Sequence, residues 1–336
     1  MKIRQMYILI VSVLVVCISS CIAHSQANQS ENPNKVDDRT LERLVSDLLN
    51  AKDADGQNKI TESLLNAHPS IDKIEELIKR GREYEPDVKT GWQIGENTCL
   101  DGESRPYHFY IPNNYKHTQK YPVIIFLHGG VSSPQIMPDE YIKEIYNLWV
   151  SPDQAEDLIY VIPVTSRGAE WWTEPGAHHI IDSIENIKLK YNVDENRIYI
   201  SGFSDGGSGV YYMALHHNTN FAGFISLNGF LPVAQMGGQS VYLPNLRNKP
   251  IYAVNTGNDQ LYPPDEVKPY IEEMGKADVP ITVKNYPDIS HSLEYWGEEK
   301  PFLIDFMHNN VRNPFPAKLS LETDNMELRR VHWVQI

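Results

Sequence analysis

The spacing of apolar residues changes character several times along the chain, and each change predicts a different element. Behind Lys2 and Arg4, Met6 to Ile18 (MYILIVSVLVVCI) is almost unbroken apolar sequence, whereas Ser25 to Lys35 is polar and has no period. From Asp38 the period is helical, with Leu41, Leu44, Val45, Leu48 and Leu49 on one face. A second helix is expected over Asn58–Ala67. A third begins after Ser70, with Glu75 and Glu76 early and Lys79, Arg80 and Arg82 late, as the helix dipole favours. From about Thr90 the pattern turns to strands. Residues 90–100 and Arg105–Ile111 predict an antiparallel pair around Asp101-Gly102. Pro122–Leu127 (PVIIFL) is a continuous apolar run, the mark of a strand covered on both faces of a mostly parallel sheet. Leu158–Val164, Arg197–Ser201, Gly223–Leu227, Ile251–Val254 and Ile281–Tyr286 repeat that theme. Helical stretches separate them at Tyr141–Val150, Gly176–Lys190, Gly207–His216, Pro264–Met274 and Lys300–Asn309. Strict alternation of this kind predicts an α/β fold with a doubly wound, mostly parallel sheet. The expected organisation is a signal peptide over 1–20, a flexible tether over 21–36, a short helical segment over 37–88, the α/β domain over 89–313, and a tail over 314–336. The tail carries strand-like fragments, AKLSLET and RRVHWVQI.

The first apolar run is too short to span a bilayer comfortably but suits the core of a signal peptide. Ile18-Ser19-Ser20-Cys21 follows it, and small residues directly before a cysteine resemble the bacterial lipobox, which implies cleavage before Cys21 and lipidation of its thiol. The expectation is an exported protein held to a bacterial cell membrane by lipid on Cys21, with plain secretion as the alternative. Loss of residues 1–20 together with lipid on Cys21 would leave Cys99 as the one remaining thiol, which suits an oxidising compartment.

Composition narrows the functional classes. The 336 residues carry 44 Asp+Glu against 30 Lys+Arg, a net charge of −14, and removal of the signal takes away two more positive charges. No basic surplus is available to neutralise phosphates, so nucleic acid is not an expected partner. Three cysteines build neither a disulfide framework nor a zinc site, and no metal or cofactor is expected.

Chemistry enters at Gly202-Phe203-Ser204-Asp205-Gly206, which sits directly after the strand RIYIS and directly before a helix. Short Gly/Ser strings occur by chance; the strand–turn–helix context gives this one weight. Glycines two residues either side let the backbone pass closely and lift the Ser204 hydroxyl above the sheet edge. The following helix aims free N–H groups at the same place. His128-Gly129-Gly130 follows the strand VIIFL, and a backbone N–H from Gly129, Gly130 or Val131, paired with that of Asp205, would form an oxyanion hole. His128 precedes the nucleophile and reads as structural. An acid and a base should follow in the order Ser, Asp, His. Asp259 lies in a turn just past the strand IYAV, whereas its competitors Asp265 and Glu266 already enter the next helix. Of the 12 histidines only His291, in the DISHS loop beyond the next strand, has both the right order and the right kind of position.

GFSDGG, FLHGG, TGNDQLYP and DISHS together resemble the secreted α/β-hydrolase esterases, in particular the poly(3-hydroxybutyrate) depolymerase-like, feruloyl and acetyl-xylan esterase group. The resemblance covers roughly residues 95–312. It implies a serine carboxylic-ester hydrolase with Ser204 as nucleophile, Asp259 as acid, His291 as base and Gly129, Gly130 and Asp205 at the oxyanion hole. Its substrates would be polysaccharide-linked or other short or aromatic acyl esters. A serine peptidase of the prolyl-oligopeptidase type is the alternative, since it uses the same fold and triad. For substrate binding, Trp171 and Trp172 lie in the long loop after LIYVIPV with Arg167 beside them, and Trp296 and Tyr295 follow His291. These residues either form an aromatic platform for a sugar or acyl group or pack their loops onto the core.

Overall fold

The computed structural model describes residues 36–51, 54–149 and 157–336. The expected signal peptide, nearly all of the tether, Cys21, and Val150 at the end of one expected helix lie outside the described residues. The chain divides between Tyr84 and Glu85 into two compact units.

Among its described residues the first unit contains three helices, α1 (Asp38–Asn50), α2 (Ala54–Asn66) and α3 (Ile71–Arg80). Their apolar faces meet in a small core of Leu41, Val45, Leu64, Ile74 and Leu77. Asp37 caps α1 by accepting from the Thr40 amide, and Ser70 caps α3 by accepting from that of Lys73. Gly81 closes α3 at φ 76°, a conformation that costs glycine nothing.

The second unit is built on an eight-stranded sheet in the order β1-β2-β4-β3-β5-β6-β7-β8. The strands are β1 (Gly91–Thr98), β2 (Ser104–Ile111), β3 (Tyr121–Leu127), β4 (Ile159–Pro163), β5 (Val193–Phe203), β6 (Gly223–Leu227), β7 (Ile251–Thr256) and β8 (Ile281–Tyr286). Only β2 runs against the others, pairing antiparallel with β1 and β4. The continuous apolar runs sit centrally because both faces of those strands are covered. In β3, Val123, Ile125 and Leu127 enter one core, while Ile124 and Phe126 enter the other. Helices α5 (Glu174–Lys188), α6 (Asp205–His216) and α7 (Pro264–Lys276) supply the first core with residues such as Ile180, Val210 and Met274. Helices α4 (Asp139–Trp149) and α8 (Trp296–Asn309) supply the second with Ile142, Ile145, Leu303 and Met307.

Two expectations need adjustment. β8 is an edge strand with Thr282 and Val283 exposed, not a buried run, which its sequence ITVKNY already permits because polar residues alternate through it. In the tail, strand structure is confined to β9 (Arg330–Val331) and β10 (Val334–Gln335). The AKLSLET segment is irregular and held by side-chain amides. Asn248 receives the Ser320 amide and donates to the Ser320 carbonyl, and Asn245 does the same with Glu322. Two asparagines thus do what a neighbouring strand would do.

Candidate active site

Five loops at the carboxyl ends of β3, β5, β6, β7 and β8 converge where the chain reverses its strand order about β3, the place where open α/β sheets bind ligands. Ser204 stands between β5 and α6 at φ 60°, ψ −122°. For a serine this is strained backbone, and it persists because the surroundings dictate it. A methyl group at Gly202 would overlap the Gly206 backbone, and one at Gly206 would overlap the Leu127 carbonyl. The Ser204 amide donates to Leu227 O (3.0 Å), anchoring the turn to β6.

His291 Nε2 lies 2.8 Å from Ser204 Oγ, and its Nδ1 lies 2.7 Å from Asp259 Oδ2. A carboxylate only accepts, so Nδ1 carries the proton and Nε2 is left to accept from the serine hydroxyl. Asp259 is 5% exposed. Burial pushes its carboxyl up. Hydrogen bonds from the Tyr262 amide, His291 and Asn228 outweigh that and hold it below the ordinary aspartate value. Its Oδ1 also takes the Leu261 amide at 2.9 Å. The competitors Asp265 and Glu266 are exposed, as is Asp288 in the loop of the base.

The amides of Gly129, Gly130 and Asp205 donate to no acceptor among the described residues. That of Val131 is taken by Asp205 Oδ2 at 3.0 Å, so of the three amides expected as β3-loop donors those of Gly129 and Gly130 stay free. Gly129 packs directly on Ser204; a Cβ there would stand 3.0 Å from Ser204 Cβ. His128 is buried and pushed down to about 4 by that burial, hence neutral. Its Nε2 accepts from the Thr165 amide and its Nδ1–H donates to Gly129 O, so both ring nitrogens are engaged in shaping this loop.

The tryptophans are not a platform. Trp171 is fully buried and donates from Nε1 to His128 O at 2.8 Å. Trp172 is 4% exposed and lies in the same core. Trp296 is 7% exposed, donates to Leu148 O and meets Trp149 edge-on at 4.8 Å. All three indoles bury large apolar area, and those of Trp171 and Trp296 find carbonyl partners for their N–H groups, which is the favoured state for tryptophan behind a loop. Arg167 is exposed and clamps the loop after Val131. Its Nε donates to Ser132 O and its amide to Ser133 O.

Sequence reasoning missed the layer behind the acid. Asn228, at φ 47° after β6, donates to Asp259 Oδ2 at 3.1 Å and accepts from the Tyr295 hydroxyl at 2.7 Å. Its signal was an Asn-Gly step at the carboxyl end of the strand GFISL. The aromatic lining was missed as well. Phe203 lies 5.0 Å and Tyr262 5.5 Å from the His291 ring, and Phe230 stacks on Tyr262 at 5.4 Å.

The phospholipase/carboxylesterase family profile of the α/β-hydrolases matches residues 113–309. The chain belongs to this family. The matched span runs from just after β2 to the end of α8 and contains every residue of the relay above. The chain is 24% identical to a bifunctional acetylxylan esterase/xylanase, XynS20E, of Neocallimastix patriciarum over 66% of its length and 32% of the relative's. It is 28% identical to dipeptidyl-peptidase 5 of Porphyromonas gingivalis over 35% of its length and 18% of the relative's. The chain therefore spans about a third or less of these curated relatives. Among solved structures the fold is similar to a thermostable esterase (TM-score 0.55, 18% identity, 66% of this chain and 63% of that one). It is also similar to a ferulic acid esterase (TM-score 0.52, 18% identity, 66% and 99%).

Proposed function

We propose that this carboxylesterase-family protein is a serine ester hydrolase working through an acyl-enzyme. The observation that carries the reading is the relay Ser204–His291–Asp259, held by a strained turn beside unoccupied backbone amides. Ser204 Oγ attacks the ester carbonyl while His291 Nε2 takes its proton. Asp259 keeps the imidazole tautomer and stabilises the imidazolium. The oxyanion is received by the amide of Asp205 and by that of Gly129 or Gly130, at about 3 kcal/mol per donor. His291 then protonates the leaving alcohol, and water, deprotonated by His291 in turn, releases the acid and frees Ser204.

Short or aromatic acyl esters, including those linked to polysaccharide, are the proposed substrates. Support comes from Phe203, Phe230 and Tyr262 around His291 and from the acetylxylan esterase relative. Peptidase activity is the second reading, favoured by the dipeptidyl-peptidase match. The reading extends to an address. Export on residues 1–20 and lipid on Cys21 would hold the enzyme to a membrane, with secretion as the alternative; the support is the apolar run and the lipobox-like ISSC.

The test is Ser204→Ala with aryl acetate, feruloyl ester and aminoacyl arylamide assayed side by side. Ester turnover should fall by about 10⁵ or more, and a fluorophosphonate should label Ser204 alone. Labelling elsewhere, or an active Ala variant, rejects the nucleophile. An arylamide turned over faster than either ester selects the peptidase.

A further inference from the structure

The residue after the nucleophile carries a negative charge close to where the oxyanion develops. Such a charge opposes the reaction unless it serves some other end. Asp205 makes no ion pair among the described residues. Its carboxylate is engaged by two neutral donors from two other loops. Val131 N–H reaches Oδ2 at 3.0 Å and the Tyr262 hydroxyl reaches Oδ1 at 3.2 Å. Val131 directly follows Gly129-Gly130, whose amides are free. Tyr262 belongs to the loop of the triad acid, and its own amide donates to Asp259 Oδ1 at 2.9 Å. One phenol and one carboxylate therefore join three loops: oxyanion, nucleophile and acid.

Because this rests on the ester-hydrolase reading of the site, it concerns how the oxyanion hole is held. We propose that the Asp205 side chain is a positioning residue that fixes the Gly129–Val131 loop against Ser204, with the Tyr262 hydroxyl holding the carboxylate turned away from the oxyanion.

The chemistry of the partners explains the choice of residue. Two partners must be met at once, and a carboxylate does so with one acceptor oxygen for each, where a serine or threonine hydroxyl has a single oxygen. Burial and the nearby Asp205 push the Tyr262 phenol up to about 12, so it stays protonated and donates across the working range. Gly129 has no room to move toward the nucleophile, and Val131 is fully buried. The Val131–Asp205 bond thus ties the loop from the nucleophile side, while Arg167 holds Ser132 and Ser133 beyond it. A drift of even 1 Å at such a site costs about 10²-fold in rate.

The test compares Asp205→Ala, Asp205→Asn and Tyr262→Phe with wild type on an aryl acetate, with melting temperature and fluorophosphonate labelling of Ser204 measured in parallel. Asp205→Ala should lower kcat by about 10²-fold with KM within about threefold. Asp205→Asn should recover most of that loss. Its amide oxygen can take Val131 N–H while its NH₂ donates to the Tyr262 oxygen, the phenol reversing its role. Tyr262→Phe, which keeps the backbone bond to Asp259, should lower kcat about fivefold. Wild-type kcat in Asp205→Ala, an Asn variant as impaired as Ala, or a loss confined to KM overturns the proposal. If Asp205→Ala does not fold, Tyr262→Phe decides, and wild-type kcat there overturns it. A wild-type protein that neither turns over the ester nor labels at Ser204 overturns the hydrolase reading instead.

Discussion

Asp259→Asn should convert a working relay into one with its proton on the wrong nitrogen. Asp259 Oδ1 receives two main-chain amides, Leu261 and Tyr262, both at 2.9 Å. Oδ2 receives the His291 Nδ1–H and the Asn228 side-chain amide. An asparagine must give one of these positions to NH₂. The main-chain donors cannot turn away, so the amide oxygen goes to them and the NH₂ faces His291. Nδ1 must then accept, the proton moves to Nε2, and Nε2 loses the lone pair that takes the serine proton. The expected loss in kcat is about 10⁴, which corresponds to about 5.5 kcal/mol of transition-state stabilisation at about 1.4 kcal/mol per decade.

The assay is aryl-acetate turnover against pH, with Asp265→Asn and Asp288→Asn in parallel. Both controls alter exposed carboxylates and should stay within about twofold of wild type. Residual activity well above the uncatalysed rate should persist in Asp259→Asn, because the oxyanion donors remain. An Asp259→Asn enzyme within tenfold of wild type, or a large loss at Asp288 or Asp265, would refute the tautomer argument and with it the assignment of the acid.

Trp171→Phe should lower stability by about 1–3 kcal/mol, because it removes the indole partner of the buried His128 carbonyl, while KM for aromatic esters stays put; thermal unfolding and kinetics on the same preparation read both. Glu174 is pushed up by burial, yet the close approach of His217 (3.4 Å) and the hydrogen bond from the Tyr212 hydroxyl, with His178 nearby, bring it to about 2. A depressed folded pKa stabilises above the ordinary carboxylate value of about 4.3 and is lost as pH falls toward 2. Glu174→Gln should therefore be less stable by about 2 kcal/mol at neutral pH and the difference should vanish near pH 2; a constant difference across that window argues against the ion. Cys21→Ser should move the protein from the membrane to the soluble fraction with turnover of small esters intact, and labelled palmitate should enter wild type only; a soluble wild type replaces the anchor with secretion.

What was legible follows from how far each signal reaches. PVIIFL, RIYIS, GFISL and IYAV are local runs whose period alone says that both faces are covered, and they became β3, β5, β6 and β7 at the centre of the sheet. The Gly-x-Ser-x-Gly turn is equally local, since both glycines are demanded by backbone within a few residues or on the adjacent strand. That is why Ser204 could be named with its φ unseen. The order Ser, Asp, His and a loop position past a strand were enough to point at Asp259 and His291, which the fold then sets within hydrogen-bonding distance of one another.

The side chains behind and around the relay were not legible, and the reason is the same in each case. Loops after strands have no period, so nothing in the string GAEWWTEP says which way an indole turns. Two adjacent tryptophans read equally as a platform and as a plug. The fold decides, because β3, α6 and the His128 carbonyl enclose Trp171 before any ligand could reach it. Asn228 and Tyr262 were passed over for the converse reason. Each is unremarkable in its own segment and acquires a role only through partners 31 and 57 residues away in sequence, Asp259 and Asp205. Tyr262 makes the point most sharply. The turn after β7 was read for its carboxylate, yet three residues on the same turn places an amide on that carboxylate, a hydroxyl on Asp205 and a ring beside His291. Those three contacts are independent in chemistry and converge only in space. A substitution there separates them as no reading of the segment could: phenylalanine removes the hydroxyl alone and leaves the other two.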